Sequence, residues 1–102
     1  MILIKVIFKV SADKVEDAKA AFVFSQNLVT EEAGCISFRY YQDLEDPAVF
    51  FLFEEWETQE ALEAHSENQK KPSSPKGPKW PEILGEPIAI RYQVASYGNL
   101  RD

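Results

Sequence analysis

Val49-Phe50-Phe51-Leu52-Phe53-Glu54-Glu55-Trp56 decides the fold, because its first five residues are all apolar and the residues beyond Trp56 change period. A strand with no polar position has no watery face and must be covered on both sides. Strand alternation puts Glu54 and Trp56 on one face. Past Thr58, which is placed to cap a helix, Ala61, Leu62 and His65 recur at helical spacing and share one side. The only histidine of the chain is thereby turned inward. A carboxylate, an indole and an imidazole converge where strand meets helix, with Asn68 and Gln69 three and four residues beyond His65. This is the candidate pocket.

Working outward, Ile2 to Val10 sets Ile2, Ile4, Val6, Phe8 and Val10 on one face and reads as a strand with a strictly apolar side. Asp13 followed by Glu16 has the spacing of a capping box. The helix after it buries Val15, Ala18, Phe22, Ser25 and Val29, supplemented by Ala21 and Leu28. Ala33-Gly34 ends it. Cys35 to Gln42 alternates as a second strand, Asp43 to Pro47 is turn chemistry, and a hairpin leads into the apolar strand. Lys70 to Lys79 holds three prolines and reads as a loop bordering the pocket mouth. Trp80 to Gly85 reads as one helical turn and Ile88 to Tyr97 as the closing strand.

The order strand, helix, strand, strand, helix, strand, joined by right-handed crossovers, predicts an α+β, ferredoxin-like βαββαβ domain over residues 1–97, with a tail at 98–102. Its sheet is four-stranded and antiparallel, with both helices on one face. Because the apolar strand is apolar on its other face too, that face is expected to pack on a second copy, giving a homodimer.

Composition narrows the function classes. The 102 residues carry a formal charge of −6, and the 11 basic residues are scattered, which argues against a nucleic-acid phosphate footprint. One cysteine, Cys35, forms no internal disulfide, and one cysteine with one histidine builds no structural zinc site. No apolar run is long enough to span a bilayer and no signal-like segment opens the chain, so the expected location is cytoplasmic.

The succession Glu32-Ala33-Gly34-Cys35-Ile36-Ser37-Phe38, Asp43-Leu44-Glu45-Asp46-Pro47, Phe50, Glu54-Glu55-Trp56 and Glu60-Ala61-Leu62-Glu63-Ala64-His65 resembles the antibiotic biosynthesis monooxygenase domain family. It spans roughly the first two-thirds of the chain, and the pieces are specific as a set rather than singly. The resemblance implies a dimeric α+β barrel. It also implies the reactions of a family that includes cofactor-independent quinol and polyketide oxygenases, haem-degrading enzymes and an isomerase of signal molecules. It points to His65 and Trp56 as cavity residues, with Glu54 beside them; Asn68, from its spacing after His65, and Phe38 complete the expected substrate-binding set.

Three departures qualify the resemblance. Phe38 stands where the family commonly has a tyrosine, the first strand offers Lys5 and Lys9 where haem-degrading relatives carry an asparagine, and Lys71-Pro72 stops the helix that relatives continue. The expected function is therefore a monooxygenase without cofactor or metal, acting on a small aromatic phenol or quinol, with His65 as base and Trp56 as ring platform. Imidazole suits the role because it ordinarily gains and loses a proton near pH 6.5. The alternatives are a non-catalytic dimer binding a small apolar ligand or a protein partner, and a metal-free isomerase. Residue by residue, His65 and Trp56 also read as core, Glu54 as a cross-strand partner of Arg39 or Arg91, and Cys35 as small packing.

Overall fold

Alternation builds the sheet. In the computed structural model, which describes residues 1–71 and 77–101, β1 (Ile2–Val10) buries Ile2, Phe8 and Val10 on the side turned to the helices. β2 (Cys35–Gln42) buries Phe38, and β3 (Val49–Trp56) buries Phe50, Leu52, Glu54 and Trp56, every second residue. β4 (Ile83–Gln93) completes an antiparallel sheet of order β2-β3-β1-β4. With α1 (Val15–Val29) and α2 (Gln59–Lys70) this is the expected ferredoxin-like α+β arrangement. Register aligns Ile4 and Phe38 on either side of Glu54, which fixes where the carboxylate emerges.

The core joins Ala18, Phe22 and Val29 of α1 to the inward residues of β1, β2 and β3. Much of it is aromatic. The ring of Phe22 stacks on Tyr40 at 4.3 Å and meets Phe8 edge-on at 5.4 Å, geometries that add to simple burial. Gln26 of α1 ties the helix to β2 by accepting from the Tyr40 backbone N–H at 3.0 Å.

The helix ends depart in part from expectation. Thr58 caps α2, accepting from the Ala61 N–H at 3.1 Å. α1 has no capping box: one 3-10 turn (Ala12–Lys14) precedes it, the Ser11 hydroxyl donates to the Asp13 carboxylate, and the Lys14 N–H donates to the Ser11 carbonyl. α1 also stops at Val29, short of Ala33-Gly34. Gly34 does take the left-handed conformation, with φ +80. It is needed for space as well, since a Cβ there would lie 2.5 Å from the Cβ of Ala61.

The C-terminal third differs most. Trp80 to Gly85 forms no helical turn, and the closing strand runs Ile83–Gln93 rather than from Ile88 to Tyr97. The register between β1 and β4 shifts between Ile7 and Lys9, where Gly85, with φ +71, lets the strand bulge. Of the loop expected from Lys70 to Lys79, Lys70 instead ends α2, Lys71 and residues 77–79 carry no helix or strand, and residues 72–76 lie outside the described residues.

On the face away from the helices, register brings Phe51 and Phe53 beside Ile7 and Lys5 of β1 and Tyr41 and Arg39 of β2. Ile88, Ile90 and Tyr92 extend this face and are exposed. No helix among the described residues is long and apolar enough to cross a membrane.

Candidate functional site

Between the two helices, with the sheet as floor, lies a cavity of about 860 Å³, within the usual size of small-molecule sites. Ile4, Phe38, Tyr40, Leu52 and Glu54 form the floor, Phe24, Ser25 and Leu28 the α1 wall, and Leu62, His65, Asn68 and Gln69 the α2 wall. Gly77, Pro78 and Trp80 close the rim as the chain returns from α2, so the described flanks of the expected loop do border the mouth. Trp80 leans on Phe22 at 5.2 Å and on Tyr40 at 6.3 Å.

Helical spacing turns His65 inward, and among the described residues it is one of two buried polar side chains, at 5% exposure; Glu54, at 8%, is the other. Its Nδ1 lies 3.0 Å from Oε2 of Glu32, whose Oε1 accepts from the Asn68 amide at 3.1 Å. A carboxylate only accepts, so Nδ1 carries the proton in this contact and the neutral ring keeps its lone pair on Nε2. Nε2 has no hydrogen-bond partner among the described residues, yet it is not sealed from solvent, which leaves it open to the cavity.

Glu54 has a parallel arrangement. Its Oε1 accepts from Trp56 Nε1 at 3.0 Å, while Oε2 has no partner among the described residues and is likewise unsealed. The expected pairing with Arg39 or Arg91 does not form: Arg39 lies opposite Phe53 on the far face, and Arg91 donates to Gln59. Burial between Ile4 and Phe38 pushes the Glu54 carboxyl up from its ordinary 4.5; the Trp56 hydrogen bond and then His65 oppose this, and Glu32 adds to it.

Trp56 is fully buried and does not line the cavity. It packs behind His65, ring centroids 4.9 Å apart, and offers no face to a bound ring. Phe38, 5.5 Å from His65, does line the cavity. Tyr40, two residues on from Phe38 and so on the same face, brings a phenol to the cavity. Burial raises that phenol to about 12, with Ser25 hydrogen-bonding it in opposition and Glu54 adding to the rise. Cys35 is pushed to about 11, by burial and then by Glu32 and Glu54, which disfavours its thiolate at neutral pH. Sequence reasoning counts Glu32 in the family-like run but gives it no part in the site. Among the described residues, no group of three or more histidine, cysteine and acidic side chains is placed to hold a metal ion.

A ferredoxin-like sheet with a cavity beneath its helices and one inward histidine defines a class of small α+β proteins. Within it, residues 1–70 match the antibiotic biosynthesis monooxygenase family, and the chain belongs to that family. Among solved structures, it superposes on a candidate antibiotic biosynthesis monooxygenase of Deinococcus radiodurans with TM-score 0.77 over 98% of both chains, at 16% identity. A second such candidate, from Nitrosomonas europaea, gives TM-score 0.75 over 94% of this chain and 100% of the other, at 22% identity. A conserved protein of Methanosarcina mazei gives 0.69 over 90% of each, at 23%. At these identities the likeness speaks to fold alone. Among curated proteins none matches the chain.

Proposed function

We propose that the chain is a cofactor-independent monooxygenase that oxidises a small aromatic phenol or quinol with O2, using His65 as base. The observation that carries this reading is the imidazole whose Nδ1 is held by Glu32 and whose Nε2 opens on an aromatic-walled cavity. Nε2 takes the phenol proton, and the resulting anion gives one electron to O2. The aryloxyl radical and superoxide then combine at a ring carbon bearing hydrogen, and the peroxide anion takes the proton back from the imidazolium to give a hydroperoxide. Loss of that hydrogen as a proton, with departure of the distal oxygen as water, leaves a quinone carbonyl. A phenol and O2 thus become a quinone and water, with one oxygen atom in each product.

In this reading Glu32 is a positioning residue that steadies the ring and stabilises the imidazolium once it forms. Phe38, Tyr40 and Trp80 hold the substrate ring in place of Trp56, whose part is to back His65 and bind Glu54. Asn68 steadies Glu32. Tyr40 keeps its proton and serves as a hydrogen-bonding wall rather than a base.

The test is oxygen uptake with an unhindered naphthoquinol. His65→Ala is expected to lower the rate by roughly 10²-fold or more, the usual worth of a positioned base. Glu32→Gln is expected to lower it by about tenfold and to change the pH profile, because the imidazolium loses its counter-charge. An unchanged rate in folded His65→Ala protein eliminates the mechanism and moves the cavity to ligand binding without turnover. A purely structural His65 predicts instead a stability loss of about 1–3 kcal/mol and no kinetic effect.

A further inference from the structure

We propose that Glu54 is a specificity-determining residue: the cavity takes an aromatic ligand that presents an uncharged hydrogen-bond donor to Glu54 Oε2 and turns away the carboxylated congener. The proposal rests on the ligand-binding part of the reading above and not on turnover.

Three observations converge on it. Among the described residues, both buried polar side chains of the cavity lining present acceptors, His65 through Nε2 and Glu54 through Oε2. Each acceptor is fixed from behind by a partner that uses up the side chain's other polar atom, Glu32 for His65 and Trp56 for Glu54. Neither can readily turn away to leave a donor in its place. Among the described residues, the only permanent cation of the lining is Lys71, an exposed residue one step past the end of α2.

A ligand O–H or N–H therefore satisfies a buried carboxylate oxygen that the described protein groups leave open, and hydrogen bonds to a charged acceptor are the stronger kind. An anionic ligand brings like charge to Glu54 in a site where water screens little, with Glu32 behind His65 adding to the repulsion. A ligand with neither donor nor charge leaves the oxygen unpaired and gains only ring contacts.

Calorimetric titration of the full chain at pH 8 with 2-naphthol, 2-methoxynaphthalene and 2-naphthoate separates these cases, since the three share one ring system. Expected is binding of 2-naphthol tighter than either congener by about tenfold or more, as for a charge-assisted hydrogen bond against its loss. In Glu54→Gln, whose amide both accepts and donates, 2-naphthoate is expected to come within about threefold of 2-naphthol. A smaller preference in the unaltered protein overturns the proposal, as does no binding of any of the three at millimolar concentration, or an unchanged preference in the variant. The ranking on the unaltered protein needs no variant to fold. Protein that consumes naphthoquinol without this ranking keeps the activity and loses the inference, and the ranking without oxygen uptake does the reverse.

Discussion

Glu54 carries its burial as a pH dependence. Its carboxyl is raised above 4.5 in the folded chain, chiefly by burial. Between pH 4.5 and that raised value the folded chain holds a proton the unfolded chain has released, so this group's contribution to stability falls as pH rises through the window. Glu54→Gln removes the titration while keeping an acceptor for Trp56 Nε1. The variant is expected to be more stable than the natural protein above the window, with the advantage shrinking towards pH 4.5. Urea melts across pH 4.5 to 8 check this, and a stability difference that is flat with pH refutes it. The facing of Glu54 and His65 is legible in the sequence because each lies on a clean period, two for the strand and 3.6 for the helix. Periodicity alone does not tell a cavity wall from the core behind it, which is why Trp56 reads as a platform until its burial is seen. Glu32 is illegible for another reason: 33 positions separate it from His65, and no local pattern spans the two strands between. The available signal is its place two residues ahead of Gly34, whose missing Cβ draws α2 against that turn.

At the scale of elements, Gly34 is the joint between the first half of the chain and α2. Its carbonyl accepts from the Glu57 N–H at 2.9 Å, and its Cα leaves room for Ala61. Gly34→Ala adds a Cβ at 2.5 Å from another Cβ on a backbone with φ +80, so a loss of about 1–3 kcal/mol is expected in thermal melts. Adding Ala61→Gly relieves the contact but not the backbone strain and is expected to restore only part of the loss. β1, β2, β3 and α2 are readable from alternation and from Thr58. The closing strand is not, because Gly85-Glu86-Pro87 looks like the end of something, whereas the sheet absorbs these residues as a bulge opposite Phe8. Asp13 and Glu16 mislead in the same way: the spacing is that of a capping box, but a 3-10 turn occupies the place of the cap.

For the whole molecule, the face away from the helices sets the expected assembly. Phe51, Phe53, Ile7, Tyr41, Ile88, Ile90 and Tyr92 make it largely apolar, with Lys5, Lys9 and Arg39 interspersed. A two-fold contact between identical faces is the simplest cover, and a stable one buries about 800 Å² on each partner. Light scattering is expected to give a dimer mass at micromolar concentration and a monomer mass for Ile90→Glu with an unchanged circular dichroism spectrum. A monomer mass for the natural chain refutes this. The unbroken apolar run Val49 to Phe53 exposes the problem of that face in the sequence, but how far β4 extends it depends on a register that only the sheet determines. Trp56 and Trp80, the two tryptophans, stand at opposite extremes: one is wholly sealed behind His65, and the other is 48% exposed at the cavity rim. Their fluorescence therefore divides by place, a blue component out of reach of collisional quenchers and a redder one that responds to whatever enters the mouth, so the chain carries its own optical gauge of occupancy.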